Sequence, residues 1–449
     1  MQVFDSLTRA MLHGPTHLTI GNFDGFHRGH WALIERMQAD ASTEGAATGL
    51  LTFHPHPRTV LRPELKITSL TSLTERLALY TQAGLDFTVI HPFTQATAQT
   101  EPDDFLRLLH GHLGVTKLWI GPDFALGRNR KGDIPFLRQF GSTLGIEIEV
   151  VQEYVWEGQA IRSSRIRRLV ELGNVEWAGA WLGRYYTMSG VVMHGVQRGR
   201  TIGFPTANLS LAQGRVVPAN GVYAIWVMVE GQRYMSVCNI GVRPTVNGSH
   251  RTVEAHIIDF DGDLYGRCIE LAFVYRLRDE IKFSGLEALK AQITRDRDRA
   301  ARLLGAEPNV AQEPRFEEQN HTADWVIDVR GETQSMLYAN AASAMFLLQG
   351  AVDIDGPAVQ QHFEIVGFDR KDLLVGWLSE LLLESETQGV MFQVFFVEDI
   401  SDTHMRALVI GRQGRSDLAH IKAVTYHDLL VLEPASALSE WRARVLFDT

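Results

Sequence analysis

Two histidines three residues apart, His27 and His30, stand in the stretch Leu18-Thr-Ile-Gly-Asn-Phe-Asp-Gly-Phe-His-Arg-Gly-His-Trp-Ala-Leu-Ile34. An apolar run, a glycine-rich turn and a helical pattern follow one another there. A helix start carries unpaired N–H groups and the positive end of the dipole, so it attracts phosphate. Gly21, Gly25 and Gly29 let a backbone approach a ligand closely. Imidazoles at this spacing share one helix face and can donate hydrogen bonds to charge that develops in phosphoryl or nucleotidyl transfer. His27 and His30 are the expected catalytic pair, with Gly21, Asp24, Gly25 and Gly29 around the ligand.

Other segments carry the same kind of chemistry. Thr52-Phe-His-Pro-His-Pro57 presents His54 and His56 on a backbone stiffened by proline. The loop Gly121–Gly132 gathers Asp123, Arg128, Arg130 and Lys131, a set suited to phosphate and equally to a solvated charged loop. Ser163, Ser164 and Arg167 open a helix whose hydroxyls cap it or hold a phosphate. Further on, Gly190-Val-Val-Met-His-Gly-Val-Gln-Arg-Gly-Arg-Thr-Ile-Gly-Phe-Pro-Thr-Ala-Asn208 is dense in glycine. Gly195, Gly199 and Gly203 allow a loop to wrap phosphates through backbone N–H groups. Thr206 and Asn208 offer oxygen ligands for Mg²⁺ and ATP. Glu254, in a β-like run, has the chemistry of a general base toward a primary hydroxyl, although by itself it reads as an exposed strand residue. Asp324 and Asp448 are hard-oxygen candidates for a cation such as Ca²⁺.

Elements that position these residues are visible in the pattern. Up to about residue 182, strand-like runs (Leu18–Ile20, Gly49–Phe53, Phe87–Ile90, Lys117–Ile120, Ile146–Val151) alternate with helical ones such as Trp31–Asp40 and Leu73–Ala83. This predicts an α/β, Rossmann-like domain with a mostly parallel sheet, which binds ligands at the carboxyl ends of its strands. From 183 to 304, short β-like runs separated by glycine and proline turns predict a closed barrel or sandwich, ended by a helix over Leu286–Leu304. Residues 305–316 are polar, contain proline and read as a linker. The remainder, 317–449, mixes strand runs (Trp325–Val329, Ala407–Ile410, Leu429–Leu432) with helices (Glu332–Leu348, Lys371–Glu384), an α+β pattern.

Composition agrees with several globular domains: 449 residues, 45% hydrophobic and 21% charged, enough for two to four cores. A net charge of −10 argues against bulk nucleic-acid binding through a general basic surface. The two cysteines, Cys238 and Cys268, exclude a disulfide framework and are expected as small core residues in a reduced, cytoplasmic protein. No apolar run reaches the length of a membrane span, and no membrane partner is expected.

Three resemblances follow from these residues. Gly21–His30 with its His-x-Gly-His core, Thr52–Leu61, Gly121–Gly132 and Ile161–Leu169 resemble, in order, the adenylyltransferase half of bifunctional riboflavin kinase/FAD synthetases. That resemblance implies conversion of FMN and ATP to FAD and pyrophosphate, with His27 and His30 on the ATP phosphates and Ser163, Ser164 and Arg167 in a second nucleotide motif. Arg162 departs from the family, which usually has a hydroxyl residue there. Gly190–Asn208, Asn239–Thr245, Asp259–Gly266 and Leu277…Phe283 resemble the riboflavin kinase module, a six-stranded barrel. By this likeness Thr206 and Asn208 bind Mg-ATP, Glu254 deprotonates the ribityl hydroxyl of riboflavin, and Arg278 contacts the flavin side. The tail, with His321-Thr-Ala-Asp-Trp325, Lys422-Ala-Val-Thr-Tyr-His427 and Phe447-Asp-Thr449, resembles archease, which assists a GTP-dependent RNA ligase acting on tRNA. Asp324 and Asp448 are paired as Ca²⁺ ligands on that likeness alone. Competing readings are an adenylyltransferase for a pantetheine or nicotinamide nucleotide, a kinase with an impaired adenylyltransferase half, and a non-catalytic accessory protein of RNA repair.

Overall fold

Leu18, Leu50, Leu51, Val89 and Leu118 are fully buried, as expected of central parallel strands covered on both faces. They belong to a six-stranded sheet of β1 (Gln2–Phe4), β2 (Thr16–Ile20), β3 (Ala47–His54), β4 (Phe87–Pro92), β5 (Val115–Ile120) and β6 (Glu147–Val150), in the order β1-β4-β3-β2-β5-β6. Every pairing is parallel. Adjacent residues Leu50 and Leu51 point into two different apolar cores, one on each face. β2 is the switch point: the chain leaves it toward β3 on one side and reaches β5 on the other. Ligands of such sheets bind in the crevice at the strand ends there, where the turn before His27 and the loop after β5 both begin. β1 was not apparent in the sequence, being a three-residue edge strand.

The computed structural model describes all residues except 66, 157–158, 195–198, 200–201, 212–213, 246–247, 306–314, 320–324, 352–353, 355, 416–420 and 435–439, and only the backbone of 243–245 and 248–250. It forms two compact units. The first is Met1–Val155 with Ala160–Ser163 and Gln213–Val216; the second holds the rest. A short ribbon, β7 (Val155–Trp156) with β8 (Gln159–Ala160), precedes a helix over Ser163–Leu172.

In the second unit, β9 (Tyr186–Met193), β10 (Ala207–Leu211), β11 (Gly221–Val229), β12 (Gln232–Thr245), β13 (Gly248–Ile257) and β14 (Cys268–Arg278) close a barrel in the order β10-β13-β12-β11-β14-β9. All its pairings are antiparallel. Five of these strands were legible; β10 was hidden because Ala-Asn-Leu-Ser-Leu reads as the end of a loop. Cys238 is buried in the barrel as expected, but Cys268 is exposed, because it is the first residue of β14 and alternates with the buried Ile269. The helix Leu286–Gly305 packs Ala300 and Leu304 against Val222, Trp226 and Leu277 on the outer barrel face.

The tail folds as β15 (Phe316–Gln319), β16 (Trp325–Gly331), β17 (Ala358–Val366), β18 (Val390–Ile400), β19 (His404–Gln413), β20 (Ala423–Leu432) and β21 (Trp441–Asp448) in two sheets, β15-β16-β21-β20 and β17-β19-β18, with helices Gln334–Leu348 and Arg370–Gln388. It is not an independent appendage: it belongs to the same compact unit as the barrel. The Tyr275 hydroxyl of the barrel donates to Glu332 at 2.8 Å. The Arg276 guanidinium lies 4.7 Å from the centre of the Phe396 ring, and Trp177 meets Phe316 at 6.1 Å between centroids.

Glu176, at the start of the helix Val175–Leu182, accepts the Arg276 backbone N–H at 3.2 Å. Burial raises its carboxyl from the ordinary 4.5 to about 7. A carboxyl raised on folding holds its proton more tightly in the folded chain, so stability falls as pH rises from 4.5 to about 7 and is level above that. Glu176→Gln removes this term. The stability of the variant should therefore match the parent near pH 4.5 and exceed it at pH 7.5 by on the order of 3 kcal/mol, with a higher melting temperature there; thermal scans across pH test this.

Candidate functional site

At the end of β2 the chain turns through Phe23 (φ 46°), Gly25 (φ 78°) and Phe26 (φ 38°). Left-handed backbone at two phenylalanines is unfavourable, and burial holds it in place. Phe26 packs on Trp31 (4.9 Å between centroids) and Tyr80 (5.3 Å), and Phe23 on His30 (4.7 Å). His27 is the cap of the helix Arg28–Glu44, forming a reciprocal capping box with His30. The His27 N–H donates to His30 Nδ1 at 3.3 Å. With Nδ1 accepting, the proton of a neutral His30 ring sits on Nε2, which is then a donor. The two imidazoles stack at 3.6 Å. A Cβ on Gly29 would lie 3.3 Å from the His27 ring and 3.2 Å from Tyr154 Cβ, so any side chain there would crowd the stack.

Asp24 has a positioning task in the turn. Its buried carboxylate accepts the N–H groups of Leu70 (3.0 Å) and Thr71 (3.1 Å) and the Thr71 hydroxyl (3.2 Å). Thr71 Oγ1 in turn accepts the Gly25 N–H at 2.9 Å. Asp24 therefore positions the turn. Ser163 Oγ donates to the Asp24 carbonyl at 2.8 Å, which joins the start of the second motif to the first. Arg162 pairs with Glu153 at 2.6 Å, so the family departure is absorbed by an ion pair. Ser164 is exposed and Arg167 half-buried on the helix that Ser163 begins. In the loop after β5, Lys131 (3.1 Å) and Arg128 (3.6 Å) pair with Glu101. His54 is exposed, and His56 Nε2 lies 3.1 Å from the Asn22 amide. Sequence reasoning missed Arg76, which is buried and donates to the Asn22 carbonyl at 2.7 Å. Its signal was an arginine on the apolar side of the Leu73–Gln82 helix.

In the barrel, Asn208 on β10 stands directly opposite Glu254 on β13, and Glu254 opposite Asn239 on β12. Residues opposite one another in an antiparallel ladder share a face, with Cβ atoms about 4.5–5.5 Å apart. The three form a row of oxygen-bearing, half-buried side chains. Asn239 is the residue the sequence reading left out of the site, although it opens the Asn-Ile-Gly-Val-Arg-Pro-Thr segment. Thr206 lines a cavity of about 550 Å³ with Phe260, Asp261 and Tyr265. Gly199 accepts the Phe204 N–H at 2.8 Å; a Cβ there would fall 2.2 Å from the Phe204 carbonyl oxygen. Gly203 has φ 88°. Gly195 lies outside the described residues. The hydroxyl, amide and carboxylate oxygens of Thr206, Asn208 and Glu254 suit a hard cation such as Mg²⁺.

All three guanidinium nitrogens of Arg278 are engaged, Nε and Nη2 on Asp296 (2.7 Å for Nη2) and Nη1 on the Asp279 carbonyl at 2.7 Å. Asp296 is buried on the Leu286–Gly305 helix, so Arg278 fastens that helix to the barrel.

In the tail, Asp324 lies outside the described residues. Asp448 is exposed, and its carbonyl accepts the Lys422 N–H at 2.7 Å. Among the described residues the only group of three or more potential metal-ligating side chains is His17, Asp40 and Glu44 in the first unit; there the Lys117 ammonium already sits 2.6 Å from Asp40 and 3.1 Å from Glu44. The expected Ca²⁺ site is therefore not assembled by described residues. Among those residues no helix is long and apolar enough to cross a membrane.

Comparison with known proteins covers the chain in three parts. A riboflavin kinase family model matches residues 182–304, an FAD synthetase model residues 10–165, and an archease protein family model residues 316–449. The bifunctional riboflavin kinase/FMN adenylyltransferase of Escherichia coli (strain K12) is 38% identical over 290 residues, 64% of this chain and 92% of that protein. Its namesake in Bacillus subtilis (strain 168) is 34% identical over 296 residues, with the same coverage, 64% and 92%. A solved structure described as a macrolide-efflux protein from Streptococcus pneumoniae superposes with a TM-score of 0.63 at 27% identity, over 66% of this chain and 97% of that one.

Proposed function

The chain belongs to the bifunctional riboflavin kinase/FMN adenylyltransferase family and carries an archease-family domain at its C-terminal end, and from that premise we propose that it makes both flavin cofactors. The barrel phosphorylates riboflavin with ATP to give FMN, and the α/β unit joins FMN to the adenylyl group of ATP to give FAD and pyrophosphate. The observation that supports the kinase step best is the row Asn208–Glu254–Asn239 across three barrel strands.

In the kinase step Glu254 takes the proton of the ribityl hydroxyl as its oxygen bonds to the γ-phosphorus, and the bond to the β-phosphate oxygen breaks, releasing ADP. Thr206 and Asn208 would hold Mg²⁺ with ATP; when bound, the ion neutralises phosphate charge. The rest is positioning, which is most of what phosphoryl transfer asks of a protein. Gly199 and Gly203 let the loop close on the phosphates.

In the second step the attacking group is a phosphate oxygen of FMN, already an anion, so no base is needed. The work is stabilisation of charge on the α-phosphate and the departing pyrophosphate. His30, through Nε2–H, and His27 at the helix start supply donors, and the Asp24–Thr71–Ser163 network keeps the turn in place. Ser164 and Arg167 complete the nucleotide contacts. Division into residues 1–182, 183–304 and 317–449, and a cytoplasmic location, belong to the same reading.

Incubating the purified chain with riboflavin, ATP and Mg²⁺ and separating products by chromatography tests it. FMN and FAD should both appear. No FMN would sink the kinase step, and FMN without FAD the adenylyl step. The archease match supports a second role, assistance to a GTP-dependent RNA ligase. Adding the full chain to such a ligase and counting turnovers tests that role; no gain rejects it.

A further inference from the structure

A cavity of about 480 Å³ lies within the second unit, between the helix Val175–Leu182, barrel strand β14 and the tail. Neither transfer reaction uses it. Aromatic side chains line much of its wall: Trp177 from the helix Val175–Leu182, Tyr185 and Tyr275 from the kinase side, Phe395 and Phe396 from the tail. Its volume is in the range of small-molecule sites, which favour junctions between domains.

The charged groups facing it are three arginines and three glutamates. Arg330 is spent outside the cavity on Glu317, at 3.2 Å. Arg315 lies 3.8 Å from the centre of the Trp177 ring and attracts Glu176. At the rim, Glu440 and Arg442 are both exposed and two residues apart, and offset one another. Glu332 remains. Among the described residues its carboxylate takes one hydrogen bond, from the neutral Tyr275 hydroxyl at 2.8 Å, and no cation stands within ion-pair distance of it. Above pH 7, where Glu176 is ionised, the cavity is thus short of one positive charge, at a place walled by rings whose faces attract cations.

We propose that this cavity binds a small organic cation, a primary amine or amidine with an apolar or aromatic body. Its N–H groups bond Glu332, and its body rests against Tyr185, Phe395 and Phe396. Burial and the neighbouring Glu440 carboxylate already hold the Glu332 carboxyl above its ordinary range; a bound cation opposes that. The wall is drawn from the helix Val175–Leu182, barrel strand β14 and the tail, so an occupant bridges the tail and the elements it packs on.

Calorimetric titration of the full chain with benzylamine and with benzyl alcohol, in about 150 mM salt to screen the −10 net charge, tests the proposal. Benzylamine should bind one to one, at least tenfold more tightly than the uncharged alcohol, and Glu332→Gln should weaken it at least tenfold. Arg442→Gln, at an exposed position where folding is not at stake, should tighten it about threefold by removing a rim cation. Equal binding of amine and alcohol, no saturable binding, or indifference to both substitutions would overturn the proposal.

Discussion

Glu254→Gln should lower FMN formation from riboflavin roughly 100- to 10,000-fold, the usual weight of a general base, while supplied FMN is converted to FAD at the parent rate. The substitution keeps the shape of the side chain but turns one acceptor oxygen into an NH2 donor and removes the charge, so the side chain can no longer take a proton. Glu254 sits between Val253 and Ala255, both buried in the barrel wall, and neither is disturbed, so the melting temperature should hold. Its neighbours across the ladder, Asn208 and Asn239, are neutral amides that cannot replace it as a base. The split between the two reactions is the informative readout. Loss of both activities in a folded variant would mean that the two chemistries are not divided between barrel and α/β unit.

His30→Asn should do the converse: FAD formation falls by about 100- to 1,000-fold, the weight of a lost transition-state donor, with FMN formation unchanged. Asparagine is chosen because its side-chain oxygen falls near the place of Nδ1 and can still accept the His27 N–H. The cap is then largely kept, and the stability cost stays near or below about 1 kcal/mol. What is removed is the Nε2–H donor and the ring stacked on His27. A variant that retains full FAD synthesis would make His30 a capping residue only. Product ratios and a thermal scan on the same preparation separate these outcomes.

The helix start at His27 and His30 was legible because a strand, glycines and a helical pattern are all local in the chain. The site's other half was not. Arg76, Thr71 and Asp24 act on the turn through contacts made over 46 to 54 positions, and no spacing rule reports such a distance. The fold gives the Asp24 oxygens the backbone N–H groups of Leu70 and Thr71, partners that no local pattern announces. The same holds for Arg278, since its partner Asp296 comes from a helix that the sequence places but does not dock.

By itself the sequence determined the three kinds of domain, the order of their motifs, and the residue types that can carry transfer chemistry, because hydrophobic period and turn chemistry are written residue by residue. Tertiary structure alone decided which of those residues stand together. Strand register set Asn208, Glu254 and Asn239 in one row, and a long-range hydrogen bond tied Ser163 to the turn. Packing of the tail on the barrel built a cavity that no segment of the chain contains. Register and docking are settled by the sum of many weak, distant contacts, and that sum exists only in the folded chain.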